Sequence, residues 1–319
     1  MDVLSDVLNS IRISGSVLFR ADFGAPFAFG TPPSRDYAHL LVPKARRLIL
    51  FHLVASGGCL AQCDGQPPVS VGAGDVIMLP YGDAVTLSDD TCPPPRSIFE
   101  VMPPPPWREV PQLDCGGAGA KTRLLCGFLH ADEVILQPLL AGMPVLLVIR
   151  AGDALPRLKS IVSYTLEEVR AARPGGACVV NRLAEILFVE ILRHYIEAHR
   201  QEATSPLASL ADPVVGRALM LLHAEPARRW TVPALARSAA TSRSLLSERF
   251  NRLAGCPPMH YLARWRVQLA ARRLADGAES IAAVGAAVGY ESEAAFNRAF
   301  KRHIGEPPAT WRRRQQGAA

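Results

Sequence analysis

The sequence contains little that points to secretion, a membrane or a disulfide framework. Its seven cysteines, among 319 residues, form no Cys-x-x-Cys pair, and a scattered, odd set is typical of free thiols in a reducing compartment. Residues 1–5 lack the basic region and long apolar core of a signal peptide. No apolar run reaches the roughly 20 residues of a membrane span. These absences predict a cytoplasmic protein that does not enter a membrane.

Motifs of common enzyme classes are missing as well. Residues 116–119 are rich in glycine, but no Lys-Ser/Thr follows them, so they do not form a phosphate-binding loop. The Gly-x-Ser-x-Gly motif of serine hydrolases is absent. His223, His260 and His303 are expected to be packing residues or phosphate neighbours. We therefore predict no catalytic residue, no enzyme activity and no cofactor.

Lysine is scarce where positive charge is concentrated. Residues 213–319 hold 17 Lys and Arg, of which only Lys301 is lysine, against 7 Asp and Glu, a net charge of +10. Residues 1–212 hold 18 against 22, a net charge of −4. This asymmetry indicates a nucleic-acid-binding module joined to a sensor or assembly module. The arginines suit forked contacts to phosphate and guanine, although a GC-rich genome would produce the same bias.

The last third of the chain contains a repeat. The first copy has Ser242, Leu246, Phe250, Gly255, Pro257, Pro258 and Tyr261; fifty residues later the second has Ser292, Phe296, Phe300, Gly305, Pro307, Pro308 and Trp311. Such a period indicates two copies of one supersecondary element.

The second copy has the pattern of a helix-turn-helix unit. Ser280 is placed to cap a first helix, and Gly289 ends it by allowing a positive φ. Ser292 then caps a second helix, which buries Phe296 and Phe300 on one face. A short helix, a glycine turn and a second helix with an apolar inner face form a helix-turn-helix.

The first copy predicts the same unit in a looser form. Thr231 caps its first helix, its turn at Ala239–Thr241 lacks glycine and is one residue shorter, and its second helix is Ser242–Leu253. Between the copies, Pro258–Asp276 predicts an amphipathic linker helix that holds the units at a fixed separation. Two ordinary helical hairpins are the alternative, but the duplication and the charge argue against them.

These residues resemble the DNA-binding domain of the AraC/XylS family of bacterial transcription regulators over Asp212–Arg314. The stretch from Val284 to Lys301 is closest to that family's signature, and Gly285 departs from it, because the family usually has alanine there. The resemblance implies a seven-helix domain whose two units enter successive major-groove segments of promoter DNA. RNA polymerase is a further expected partner.

The outer faces of the two second helices carry the predicted DNA contacts. By resemblance, the first recognition helix offers Ser244, Ser247 and Glu248 to bases. The second offers Glu293, Ala294, Asn297 and Arg298. Asn and Arg make bidentate contacts with adenine and guanine. The full predicted set is Arg243, Ser244, Ser247, Glu248 and Arg252 in the first unit and Glu293, Ala294, Asn297, Arg298, Lys301 and Arg302 in the second.

The N-terminal part is predicted to be rich in β-strands. Candidate strands are Arg47–Ala55, Gly57–Cys63 and Pro67–Val71, and the turn at residues 72–75 leads into another buried strand. Pro93–Pro95 and Pro103–Pro106 are predicted loops. Residues 1–200, including the segments at 123–128 and 137–144, resemble the cupin-like sensor domain of one AraC subgroup, although a β-sandwich fits the pattern too.

Two helices are predicted between about residues 155 and 200. One apolar stripe includes Tyr164 and the other includes Ile186. In the family, helices after the barrel commonly form a dimer contact, and the alternative is that they only cover the barrel. The predicted fold is α+β: a cupin-like β-barrel with trailing helices (residues 1–200), a linker (201–212) and an all-α domain with two helix-turn-helix units (213–319).

Two kinds of chemistry remain open for the barrel. His52 with Cys59 and Asp83 would form a metal site if the fold brought them together, and a cupin-type metal-dependent enzyme with a DNA-binding tail is the alternative function. Cys59, Cys92, Cys115 and Cys126 are candidates for thiol sensing, against which stands the common case of inert buried cysteine.

The sequence therefore predicts a sequence-specific transcription regulator. Its expected partners are promoter DNA, a second copy of the chain bound through the N-terminal domain, and an unknown small-molecule or redox effector. A DNA-coating protein without sequence preference is disfavoured, because the recognition helices are polar and varied rather than uniformly basic.

Overall fold

A computed structural model describes most of the chain. The described residues are 13–42, 45–103, 110–131, 142–153, 156–171, 173–199, 212–277 and 279–316, with the isolated positions 4, 5, 8 and 140. The predicted linker, apart from Asp212, lies outside them, as do residues 104–106 and half of the segment at 137–144. One compact unit comprises Ile13–Ala131 and Met143–Tyr195, and the other includes Ile196–Ala319. Among the described residues, no helix is both long and apolar enough to cross a membrane.

The described part of the first unit contains eleven strands in two sheets. They are β1 (Ser14–Gly24), β2 (Ala28–Thr31), β3 (Ile49–Ser56), β4 (Gly58–Cys63), β5 (Val69–Gly72), β6 (Val76–Leu79), β7 (Val85–Ser88), β8 (Arg96–Ser97), β9 (Gln112–Gly116), β10 (Lys121–His130) and β11 (Leu147–Ile149). One sheet has the order β11-β6-β3-β10-β1-β9 and the other β5-β4-β7-β2-β8. Neighbours are antiparallel except β1–β9 and β2–β8. The predicted strands near residues 49, 58, 69 and 76 are confirmed.

The two sheets share one apolar interior. Phe23 on β1 stacks on Phe29 of β2, with ring centroids 4.6 Å apart, and thereby joins the sheets. Leu50, Leu79 and Leu87, which come from both sheets, are buried in the same core. Two sheets that enclose one apolar core are what the predicted cupin-like domain requires.

The turn between β5 and β6 owes its shape to a Gly-Asp pair. Gly74 has φ of +86°, and the Asp75 carboxylate accepts hydrogen bonds from the backbone N–H of Gly72 (3.0 Å) and Ala151 (2.8 Å). Burial alone would raise the pKa of Asp75, but these donors and Arg150 lower it overall. An ionised aspartate therefore ties β11 to this turn.

The α-helices described between residues 13 and 199 are α1 (Ala38–Leu41), α2 (Pro156–Ala171) and α3 (Gly176–Ala198). Two residues of the predicted apolar stripes, Tyr164 and Ile186, are 45% and 48% exposed and so do not face the buried side of their helices. Thr165 and Glu168 are buried on α2 instead. Tyr164 lies only two residues after buried Val162, which places it on the opposite side of the helix.

Seven helices make up the described residues from 212 to 316: α4 (Pro213–Ala224), α5 (Val232–Ser238), α6 (Arg243–Ala254), α7 (Pro258–Asp276), α8 (Ile281–Ala287), α9 (Glu293–Ile304) and α10 (Pro308–Gln316). The bounds of α7 match the predicted linker helix. Asp212 caps α4 by accepting from the N–H of Val214 and Val215, at 2.9 Å each. This aspartate, expected in the linker, is therefore the start of the helical unit.

Candidate nucleic-acid interface

Helices α8 and α9 form the second helix-turn-helix unit as predicted. Ser280 Oγ accepts from the N–H of Ala283 (3.1 Å), and Ser292 Oγ accepts from that of Ala295 (3.2 Å). Gly289 has φ of +94°, which ends α8 and turns the chain. Phe296 and Phe300 are fully buried on the inner face of α9.

Helices α5 and α6 form the first unit with the same caps. Thr231 caps α5 and Ser242 caps α6, each through a 3.2 Å side-chain hydrogen bond. Although this turn lacks glycine, it still reaches the left-handed region, at Ala240 with φ of +53°. The Thr241 N–H donates to Ala236 O (3.0 Å), as Tyr290 donates to Gly285 (2.9 Å) in the second unit. The one-residue difference therefore lies after the turn, before the capping serine.

Gly285, the departure from the family pattern, is explained by the side chain it faces. A Cβ at Gly285 would lie 2.9 Å from both Cγ and Cδ1 of Phe296. In the first unit the corresponding positions are Ala236 and Leu246, both buried. The second unit thus has a smaller residue at one position (Gly285 for Ala236) and a larger one at the position it faces (Phe296 for Leu246). Glycine is required because the phenylalanine ring occupies the space of a Cβ.

The eleven predicted DNA contacts lie on the outward faces of α6 and α9. Ser247 and Asn297 are half-buried, and the other nine are exposed. Asn251 is also exposed, and it lies seven residues after Ser244 and three after Glu248, so it shares their face of α6. Asn251 is not among the predicted contacts, although its helical spacing was a sufficient signal.

Not every arginine of α6 points outward. Arg249 forms an ion pair with the Asp212 carboxylate at 3.2 Å, and that carboxylate also caps α4. Arg249 therefore holds α6 against the start of α4 and is not available for DNA.

His223 is a packing residue inside the helical unit. Its ring stacks on Trp265 of α7 with centroids 3.9 Å apart, and its Nε2 lies 2.8 Å from Tyr261 Oη. Burial lowers the pKa of His223 to about 4, so the imidazole is neutral at pH 7.

The barrel residues considered for a metal do not form a site. His52 is buried and its Nδ1 lies 2.9 Å from Cys126 Sγ on the neighbouring strand. Within the described residues, no three His, Cys, Asp or Glu side chains form a cluster that could hold a metal ion. His52, Cys59 and Asp83 are therefore not brought together.

The cysteines differ in their access to solvent. All seven are free thiols, of which Cys92 and Cys178 are exposed and Cys115 is half-buried. Burial raises the pKa of Cys59 to about 12, and it also raises the pKa of Cys126. Because the thiolate is the reactive form, these two interior thiols are poor nucleophiles at neutral pH.

Comparisons with known proteins cover both units. A family model described as Cupin matches residues 2–197, and one described as Helix-turn-helix domain matches residues 235–314. An AraC-like transcription regulator of Streptomyces antibioticus is 31% identical over 319 residues, which is 98% of this chain and 99% of that protein. Another, of Streptomyces lividans, is 34% identical over 271 residues, with 84% and 88% covered. The solved DNA-binding domain of AdpA in complex with a target DNA is 28% identical, with a TM-score of 0.32, and covers 33% of this chain and 95% of that chain.

Proposed function

The chain belongs to the AraC family of transcription regulators, and we propose that α6 and α9 are its recognition helices, each of which reads one segment of promoter DNA in the major groove. The observation that carries this proposal is the pair of helix-turn-helix units with matching caps, each with a polar outward face on its second helix. An α-helix fits the major groove of B-DNA, where every base pair is distinguishable.

Base reading is assigned to the amide and guanidinium side chains at the centre of these faces. Asn297 and Arg298 on α9 and Asn251 on α6 offer the bidentate donors and acceptors that match adenine and guanine. The surrounding basic residues, including Arg302 and Lys301, supply the sequence-independent contacts to phosphate.

The test is an in vitro selection of bound DNA from a random library, with full-length protein at near-physiological salt. We expect a motif of two base blocks about one helical turn apart, because one recognition helix follows the other along one face of DNA. If only one block is recovered, only one of the two helices reads bases. Binding without any motif would contradict sequence-specific recognition.

Arg298→Ala is expected to weaken binding to the selected site by about 1–3 kcal/mol, the range for one bidentate base contact. Affinity should be measured by fluorescence anisotropy on the selected site and on a scrambled duplex. The matched control is Arg35→Ala, which removes one exposed arginine from the N-terminal unit. An equal loss on both duplexes would show that Arg298 contacts only phosphate.

The N-terminal unit is proposed to regulate DNA binding in the cytoplasm by responding to a small-molecule or redox effector and by forming a homodimer. Exposed Tyr164 on α2 and Ile186 on α3 support a role for these helices in dimerisation. The test is analytical ultracentrifugation of the full chain and of Ile186→Glu. A wild-type monomer at micromolar concentration would contradict the dimer.

The alternative of a cupin-type metal enzyme requires three or four protein ligands at one point of the barrel. Its test is metal analysis of protein purified without chelators. A stoichiometric metal would favour this alternative, whereas the regulator requires only DNA and an effector.

A further inference from the structure

We infer that Arg266 is a positioning residue that locks the second helix-turn-helix unit onto the first and thereby sets the number of base pairs between the two DNA segments. This inference rests on the proposed function, because it concerns how that function becomes selective for spacing.

The guanidinium of Arg266 is shared between the two units. Arg266 lies near the middle of α7 and is half-buried. Its Nε donates to the Pro226 carbonyl at 2.7 Å, and its Nη2 donates to the Arg228 carbonyl at 2.9 Å. Both carbonyls belong to the loop between α4 and α5, directly before the first unit. Its guanidinium carbon also lies 5.8 Å from the ring centroid of Tyr290, in the turn of the second unit.

The backbones of the two units meet beside this arginine. A Cβ at Gly289 would lie 2.7 Å from Ala227 Cα and 2.8 Å from Ala227 O. The turn of the second unit therefore rests directly on the loop that leads into the first. An ion pair between Arg229 and Glu291 (2.9 Å) joins the same loop and turn. Because both side chains are exposed, this pair contributes little to stability.

The planar guanidinium of arginine is needed for this contact between the loop at Ala227 and the turn at Gly289. Two nitrogens of one rigid group satisfy two carbonyls two residues apart, a geometry that a lysine ammonium on a flexible stem does not reproduce. Without these two hydrogen bonds, α7 and the exposed Arg229–Glu291 pair would still connect the units, but the turn at Gly289 would separate more easily from the loop at Ala227. The recognition helices would then adapt to several spacings.

The experiment uses the full-length protein and the two-block site from the random-library selection. Affinities are measured on duplexes with the selected spacing, on duplexes with one or two base pairs inserted or deleted between the blocks, and on each block alone. The variants are Arg266→Met, Arg266→Lys and the control Arg273→Met. Arg273 lies on the same helix, and its Nε and Nη2 donate to the Glu279 carboxylate at 3.1 and 3.0 Å. Its replacement by methionine removes the same charge and leaves the contact between the loop at Ala227 and the turn at Gly289 unchanged.

For Arg266→Met we expect the preference for the selected spacing over a one-base-pair insertion to fall by about tenfold, the scale of losing charge-assisted hydrogen bonds. Affinity for single blocks should be unchanged. Arg266→Lys should fall between wild type and Arg266→Met, and Arg273→Met should keep the wild-type spacing profile.

An unchanged spacing profile in Arg266→Met, or an equal loss at every spacing, would overturn the inference. If circular dichroism shows that Arg266→Met is unfolded, Arg266→Lys decides by the same criteria. If wild-type protein selects no two-block site, the proposed function fails together with this inference; if it selects one and the variants keep its spacing preference, only the inference fails.

Discussion

At the scale of single residues, Gly285 and Phe296 form a pair in which each constrains the other. Glycine in a helix interior costs about 1 kcal/mol relative to alanine, so its presence in α8 calls for a cause. The cause is the Phe296 ring, whose Cγ and Cδ1 occupy the space of a Cβ. Sequence alone showed the departure but not the contact that requires it.

Gly285→Ala is expected to destabilise the chain by about 1–3 kcal/mol, because overpacking exceeds the gain in helix propensity. The double variant with Phe296→Leu reproduces the Ala236–Leu246 pair of the first unit and should recover much of that loss. Urea unfolding of the two single variants and the double variant measures the coupling. Simple additivity of the two single effects would contradict a direct contact.

His223 is expected to make stability dependent on pH. Its pKa is about 4 in the folded chain against 6.5 for the free group, so the unfolded chain binds more protons between these values. Stability is therefore fully present above about pH 6.5 and falls by on the order of 3 kcal/mol towards pH 4. Urea unfolding across this range should show a flatter profile for His223→Phe than for wild type.

The control for this pH dependence is His39→Gln, at an exposed position on α1. It should retain the wild-type profile. If His223→Phe and wild type lose stability in parallel as the pH falls, the buried imidazole is not the cause.

At the scale of elements, the two turns show how one backbone shape is reached by different residues. Gly289 adopts its positive φ without strain, whereas Ala240 adopts φ of +53° with a Cβ present, which disfavours the left-handed region by about 1–2 kcal/mol. The sequence showed that the first turn lacked glycine, but only the structure revealed that it kept the same conformation.

Ala240→Gly is expected to raise the free energy of unfolding by about 1 kcal/mol or less, since relief of strain exceeds the added freedom of the unfolded chain. Ala240 is exposed, so no packing is lost. Gly289→Ala should lower the free energy of unfolding, and by more than Ala240→Gly raises it, because the added Cβ brings both backbone strain and a clash with Ala227. Thermal unfolding of the two variants tests both signs, and destabilisation by Ala240→Gly would contradict a strained turn.

At the scale of the whole molecule, the net charge of +10 in residues 213–319 predicts that salt governs affinity. We expect the logarithm of the binding constant to fall linearly with the logarithm of salt concentration, as counterions are released from phosphate. Arg302→Ala should reduce the slope by about one on every sequence, the signature of a phosphate contact. If the slopes on specific and on random DNA differ for Arg302→Ala but agree for the wild-type protein, this arginine reads bases instead.

Sequence alone determined the helical unit almost completely. Caps at Thr231, Ser242, Ser280 and Ser292 and the extent of α7 follow from rules that act within a few residues, so the repeated pattern was sufficient. The cupin-like interior was also predicted, because its buried strands and Gly-Asp turn are local signals. The sequence did not show that Tyr164 and Ile186 lie on the exposed side of their helices, because which face of a helix is covered depends on its neighbours.

Only the tertiary structure decided which distant groups meet. It directed Arg249 to Asp212, placed His52 beside Cys126 and away from any metal cluster in the described residues, and set Arg266 between the two helix-turn-helix units. Local rules identify elements because capping and periodicity are short-range. Contacts between residues forty or seventy positions apart depend on how those elements pack, and that packing determines which arginines remain available for DNA and which hold the protein together.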